Sequence, residues 1–332
     1  MATVKINDIA RELNLATSTV SRALTGNGRV GEATRLRILE YAKEHGYRVN
    51  ALARSLRTND ARNIGIVVPD ISNPFFAEVI KGAQNYCRDK DYTLMFCNSD
   101  EDAHLENKAL QLLLENRVSG LVISCIDKNN ELIHTFETQG IPVVHIDNLP
   151  DNKEQHNCVS VDNERSGYQL AEMLLARGYR RFGMISGPKA QTSGLLRCAG
   201  VSACLRDNGL EIHEDWWVHG DFKIESGYQN MKAILEKPEL PEVMIFGNNY
   251  IAYGALRAIR EFGLSVPKDL AVASFDTTDF TGLIIPCITT MNQPAVEIGR
   301  RAAEMIIQSS GSEDHSCENI ELEPMLVLGE SC

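Results

Sequence analysis

The side chains able to do chemistry fall into two sets. Along the body of the chain, Asp147, Asn248 and Asp276 each follow a short apolar run, as do Asp70, Ser72, Asn73 and the pair Phe75 and Phe76 behind Pro74. Arg197 lies on a helical stretch after Ser186-Gly187-Pro188. A carboxylate and a guanidinium facing one cleft hold vicinal hydroxyls through charge-assisted hydrogen bonds, and exclusion of water makes those bonds discriminating. Phe75 and Phe76 either stack on a sugar or base or pack inside the fold. Each acid taken alone reads as well as a helix cap or a solvated loop residue. A common position at strand ends joins them into one candidate set.

The second set lies at the start of the chain. Residues 1–62 hold eleven basic against six acidic side chains, net +5. The other 270 of the 332 residues hold 22 basic against 39 acidic, net −17. The overall charge of −12 thus hides a basic head on an acidic body, the division expected of a polyanion-binding module joined to a domain with another task. Arg22, Arg29, Arg35, Arg37, Arg48, Arg54 and Arg57 are in reach of phosphates, and the short polar Thr17 and Ser18 suit base edges in a major groove.

Helices must position this head. Ile6, Ile9, Ala10 and Leu13 have the spacing of a helix with one buried face, and Asn14 tolerates the left-handed backbone of a sharp turn. Val20, Ala23 and Leu24 supply the apolar face of a second helix, leaving Thr17, Ser18, Ser21 and Arg22 on other faces. A third helix is predicted from Glu32 to His45, with Gly46 as its C-cap. Two short helices around a tight turn are a helix-turn-helix candidate. Such pairs also occur as plain structure, and the local charge favours a nucleic-acid role.

From Ile64 onward short apolar runs alternate with amphipathic stretches. Runs such as Ile64–Val68, Gly120–Ile123, Phe182–Ile185, Val243–Phe246 and Leu270–Phe275 lack polar alternation, as strands buried on both faces do. Residues 75–90, 104–116, 164–178 and 249–262 are long enough for crossover helices. The number of runs exceeds one comfortable sheet, which predicts an α/β core of two doubly wound parallel-sheet lobes, with ligand bound beyond the carboxyl ends of the strands.

Other classes are disfavoured. No G-x-x-x-x-G-K-[ST] phosphate loop, G-x-S-x-G elbow or G-x-G-x-x-G fingerprint occurs, so no enzyme and no cofactor is expected. Nine scattered cysteines without a C-x-x-C pair read as free thiols in a reducing cytoplasm, and no metal ligand set is legible. No apolar stretch of membrane-spanning length and no signal-peptide core appears, so neither a membrane partner nor export is expected. That, with the basic head, argues against a pure solute receptor.

The run Ile9-Ala10-Arg11-Glu12-Leu13-Asn14-Leu15-Ala16-Thr17-Ser18-Thr19-Val20-Ser21-Arg22-Ala23-Leu24, followed by Gly46-Tyr47-Arg48-Val49-Asn50-Ala51-Leu52-Ala53-Arg54-Ser55-Leu56, resembles the LacI/GalR family of bacterial transcription regulators over essentially the whole chain. The resemblance implies an N-terminal all-α helix-turn-helix domain on a core of the type I periplasmic-binding-protein kind. The expected division is a headpiece over 1–49, a hinge helix and linker over 50–62, a first lobe of 63–161 plus 292–320, and a second lobe of 162–291 plus 321–332.

It further implies double-stranded operator DNA as partner, held by Thr17, Ser18, Ser21, Arg22, Asn27, Arg29 and Thr34 in the head. Asn50, Ala53 and Leu56 act in the hinge, with Leu56 wedged into the minor groove. Phe75, Phe76, Asp147, Arg197, Asn248 and Asp276 are the expected pocket for a small-molecule effector. A sugar or sugar derivative fits best, and a nucleoside or sugar acid is compatible. Some relatives instead take a phosphorylated carrier protein as corepressor. The chain stops at Cys332 without added leucine heptads, which favours a homodimer.

Five places depart from the family pattern, one of them Gly194-Leu195-Leu196 before Arg197, where a more polar approach is common. Val49 replaces a usual proline, and Ala16 a common capping serine, so Thr17 takes over the cap or the cap is weak. Asn249 departs from the usual Asn-Asp pair, and Thr277-Thr278-Asp279 replaces a frequent second aspartate. These differences leave the effector open.

Overall fold

Among the described residues, three helices build the first unit of the chain: α1 (Ile6–Glu12), α2 (Thr17–Thr25) and α3 (Glu32–Glu44). The computed structural model describes residues 4–25, 28–47, 62–128, 130–276, 285–309 and 317–332, in two units of residues 1–61 and 62–332. Both sharp turns of the first unit use the same device. Asn14 and Gly46 take left-handed φ values of 55° and 63°. The next residue then donates back into the helix, Leu15 N to Ala10 O at 2.9 Å and Tyr47 N to Ala42 O at 2.8 Å. Ile9, Leu13, Val20, Ala23, Ile38 and Ala42 meet in the core, the stripe that the helical spacing predicts. The Ala16 carbonyl accepts from Thr19 and Val20, which puts Thr17 inside the first turn of α2, one residue past the cap position.

The second unit opens with β1 (Asn63–Val68), α4 (Pro74–Asp89), β2 (Thr93–Asn98), α5 (Ala103–Glu115), β3 (Gly120–Ile123), α6 (Glu131–Thr138), β4 (Val143–Ile146) and β5 (Asn157–Val161). It continues through α7 (Asn163–Ala176), β6 (Phe182–Ser186), α8 (Thr192–Asp207), β7 (Trp217–His219), α9 (Ile224–Leu235), β8 (Val243–Phe246), α10 (Asn249–Glu261) and β9 (Ala271–Phe275). The remaining elements are β10 (Thr289–Asn292), α11 (Ala295–Ser309), β11 (Asn319–Leu322) and β12 (Met325–Val327). The strands form two six-stranded sheets, in the orders β11-β5-β4-β3-β1-β2 and β12-β10-β9-β8-β6-β7. Every pairing is parallel except that of β12 with β10.

The unbroken apolar runs follow from helices on both faces of each sheet. In the first lobe Ile64, Ile66 and Val68 join the core beneath α4 and α11, while Val67, Leu121 and Ile123 join the one beneath α5 and α6. The second lobe repeats this, with α9 and α10 over Ile185, Met244 and Phe246, and α7 and α8 over Met184, Val243 and Ile245. Glycine lets paired helices approach backbone to backbone: a Cβ on Gly167 of α7 would overlap the carbonyl oxygen of Arg197 on α8.

The chain changes lobe three times, at β5 to α7, β10 to α11 and β11 to β12. The expected last boundary at 320/321 falls inside β11, because Leu322 is still paired with Val161 of the first lobe. The change therefore lies between Leu322 and Met325.

Candidate functional site

The carboxyl ends of strands from both sheets face a cavity of about 420 Å³. That is within the usual size of a small-molecule site. Phe75, Phe76, Asp147, Arg197, Asn248 and Asp276 all line it. The two rings pack inside the fold, one of the two expected alternatives, and also line the cavity. Asn73 caps α4 by accepting from Phe75 N at 3.1 Å, and Pro74 takes the first helical position. The rings then meet edge to face at 4.9 Å, buried in the first-lobe core with part of their surface on the cavity.

Arg197 is held on every side. Its Nε donates to Asn163 Oδ1 at 2.8 Å, Nη1 to Gly247 O at 2.7 Å and Nη2 to Asp276 Oδ2 at 3.1 Å, with the guanidinium 4.6 Å above the Phe275 ring. Asp276 takes a left-handed φ of 55° at the end of β9 and accepts twice more, from Gln293 N at 2.9 Å and Gln293 Nε2 at 2.8 Å. Arg197 and Asp276 are 2% and 8% exposed, and such burial is tolerated because each charge is both paired and hydrogen-bonded.

Asp147, also left-handed at φ 56°, accepts from Ser124 Oγ at 3.2 Å. Burial pushes its carboxyl up to about 6, against the pull of the Arg197 guanidinium and with a further push from Asp276. Burial likewise raises Glu101 to about 7; Lys223 opposes this, while Asp221, Asp70 and Asp147 add to it. Asn248 is the N-cap of α10: its Oδ1 accepts from Ile251 N at 2.8 Å and its Nδ2 donates to Phe222 O at 3.0 Å. Each end of the amide makes one bond within the protein and keeps a second donor and a second acceptor position, while Asn248 also holds Phe222 in the cavity wall.

Several lining or supporting residues escaped sequence reasoning. Gln293 lies beside the expected lobe boundary at 291/292, in a stretch with no site motif. Asn163 follows β5, whose Asn157 and Ser160 hide it among polar residues. Glu101 and Phe222 sit on loops with no motif, and both have positive φ. The lobes are also bridged around the cleft. Ser72 Oγ lies 2.9 Å from Tyr250 Oη, while Asn148 Oδ1 accepts from Thr192 N at 2.9 Å and Leu149 N donates to Thr192 Oγ1 at 2.8 Å.

In the head, Thr17, Ser18, Arg22 and Arg29 are exposed and Thr34 is half-buried. Ser21, expected away from the core face, is 9% exposed and faces inward. Arg37 does not project freely toward phosphates: its Nη2 donates to Leu13 O at 3.1 Å, closing the C-terminus of α1. Asn27, Asn50, Ala53 and Leu56, with Val49, Arg48, Arg54, Arg57 and 277–279, lie outside the described residues.

Comparison with known proteins agrees with this architecture. Residues 5–50 match the bacterial regulatory proteins of the lacI family, and residues 61–323 the periplasmic binding proteins and sugar binding domain of the LacI family. The HTH-type transcriptional repressor PurR of Aliivibrio salmonicida (strain LFI1238) is 32% identical over 333 residues, spanning 100% of this chain and 99% of that protein. A LacI-family transcriptional regulator from Silicibacter pomeroyi superposes with a TM-score of 0.83 at 28% identity, over 99% of each chain. The Lac repressor dimer bound to operator and the anti-inducer ONPF shares the fold, with a TM-score of 0.86 at 23% identity over 99% of each chain.

The chain belongs to the LacI family of bacterial regulatory proteins. It is a ligand-responsive, DNA-binding regulator of transcription, and the relatives it matches are transcriptional repressors. Among the described residues no helix is long and apolar enough to cross a membrane.

Proposed function

We propose that this protein represses transcription as a homodimer on a pseudo-palindromic operator, and that a neutral, hydroxylated small molecule between the lobes sets its grip. Thr17, Ser18 and Arg22 face the duplex from α2. Asp276, Asp147 and Arg197 hold the ligand hydroxyls, and Phe75 or Phe76 packs against its ring face. Among the described residues five carboxylates line the cavity, Asp70, Asp100, Glu101, Asp147 and Asp276, against Lys223 and an Arg197 already paired with Asp276. That balance favours a neutral sugar, sugar derivative or nucleoside over a sugar acid, because an anion would meet uncompensated negative charge.

The observation that carries the reading is the chain of bonds Arg197–Asp276–Gln293. Gln293 sits at the second lobe crossing, just before α11, which packs into the first lobe against α4. A hydroxyl that draws on Asp276 therefore changes what holds the crossing, and with it the angle between lobes. The ligand can shift that equilibrium only by its differential affinity for the two arrangements, so operator binding changes ligand affinity by the same factor.

Selection of duplexes from a random pool, followed by thermal-shift screening with neutral sugars, nucleosides and sugar acids, tests this. A neutral compound should stabilise the protein saturably and change affinity for the selected duplex, with the effect lost in Asp276→Asn. Enrichment of no sequence, or a ligand response indifferent to Asp276→Asn, overturns the proposal.

A further inference from the structure

On the first lobe, away from the cleft, two histidines and a glutamate converge. His145 lies on β4 beneath α6, His156 on the segment leading into β5, and Glu137 on the last turn of α6. One ligand atom from each lies within 4.8 Å of the other two. The His145 ring is 2% exposed, and among the described residues neither of its nitrogens has a hydrogen-bond partner. Buried imidazole nitrogens are ordinarily satisfied, so this ring calls for a partner that the described residues do not supply.

The neighbours are arranged for the same purpose. The His156 ring packs edge-on at 5.2 Å from His145, and its Nδ1 lies 3.1 Å from Glu137 Oε1. The other oxygen, Glu137 Oε2, is 3.3 Å from His134 Nδ1, which orients the carboxylate from behind.

We propose that Glu137, His145 and His156 form a site for a divalent transition-metal ion of the zinc class. Two imidazoles and one carboxylate suit a borderline cation and exclude calcium or magnesium, which take oxygen ligands. At metal–ligand distances of about 2.1 Å, tetrahedral neighbours stand about 3.4 Å apart, so the widest pair must close by about 1.4 Å. Rotation of the Glu137 and His156 side chains, 33% and 26% exposed, can supply that movement. Three protein ligands leave a fourth position for water. The ion ties α6 to β4 and to the start of β5, and it sits two residues from Asp147 on the same strand end.

The test uses full-length protein stripped with a chelator and titrated with Co2+, then with Zn2+ in competition. A single site should give a visible cobalt spectrum without a thiolate charge-transfer band, and a raised thermal midpoint. Glu137→Gln and His156→Ala, at partly exposed positions, should each weaken binding by at least about tenfold. His145→Phe should abolish it in a protein whose circular dichroism is native. Cys317→Ser, on an exposed cysteine beside His156, should leave binding unchanged. Absence of saturable binding, affinity retained in both Glu137→Gln and His156→Ala, or loss of the cobalt spectrum in Cys317→Ser would overturn the site.

Discussion

Asn73 and Asn249 exchange hydrogen bonds across the cleft: Asn249 Nδ2 donates to Asn73 Oδ1 at 2.9 Å, and Asn73 Nδ2 donates to Asn249 Oδ1 at 3.3 Å. Asn73 also caps α4 at Phe75 N, and Asn249, the first residue of α10 after its Asn248 cap, accepts from Tyr250 N at 2.8 Å. Where the family pattern leads one to expect aspartate at the second position, an amide is needed here, because a carboxylate could not return the bond to Asn73. The pair holds the N-termini of α4 and α10 together, one from each lobe.

A double-mutant cycle checks this directly. Asn73→Ala and Asn249→Ala should each destabilise the folded protein by about 1–3 kcal/mol, since each leaves a buried amide without its partner. The double variant should cost less than the sum, with a coupling of about 1 kcal/mol in urea unfolding. Strict additivity would show that the two amides do not support one another.

The Arg197–Asp276 pair should be unforgiving. Arg197→Met leaves a buried carboxylate with Gln293 as its partner among the described residues, and it should destabilise the protein by about 3–5 kcal/mol while abolishing the ligand-induced thermal shift. Calorimetry with and without ligand measures both. A variant of near-native stability that still responds to ligand would place the effector elsewhere.

Acidity should follow from the cleft carboxyls. Asp147 and Glu101 titrate at about 6 and about 7 in the folded chain, both raised by burial, against about 4 when unfolded. The folded state therefore binds more protons than the unfolded state between those values, and these groups make stability fall as pH rises from about 4 through about 7. The thermal midpoint of the double variant Asp147→Asn, Glu101→Gln should depend less on pH than that of the native protein over this window. Identical slopes would contradict the raised carboxyls.

Close helix packing positions the arginine. Gly167→Ala inserts a methyl against the Arg197 carbonyl, forcing α7 from α8, and should cost about 1–3 kcal/mol. Chemical denaturation gives the loss, and ligand titration should show weakened response because Asn163 on α7 no longer meets the guanidinium. Unchanged stability would mean that the helix pair shifts without strain.

Two arginines of the head should separate by their salt dependence. Arg22→Ala should weaken operator binding and lower the slope of log affinity against log salt by about 1. Arg37→Ala should lower headpiece stability with that slope unchanged, because its guanidinium caps the Leu13 carbonyl. Equal slopes in the two variants would remove the distinction.

Periodicity was enough to find the head helices and most buried strands. Asn14 and Gly46 announced their turns, because the left-handed backbone excludes most other residues. β5 and β7 were obscure. Their residues alternate with polar ones or form a three-residue edge, so the apolar signal is short or broken. Arg37 misled for another reason: charge alone does not say whether a long side chain meets solvent or a helix end.

From its residue order alone, the chain determined a basic helical head, an acidic α/β body and the strand ends where a ligand would be held. Those features depend on neighbours a few residues apart, and local backbone preference and burial pattern record them. Tertiary structure decided which of those residues act together. Arg197 and Asp276 are 79 positions apart and Asn73 and Asn249 176 apart, and Gln293 reaches Asp276 only because the chain crosses lobes beside it. The partners of a buried charge are set by where distant strands end in space, and no local pattern carries that information.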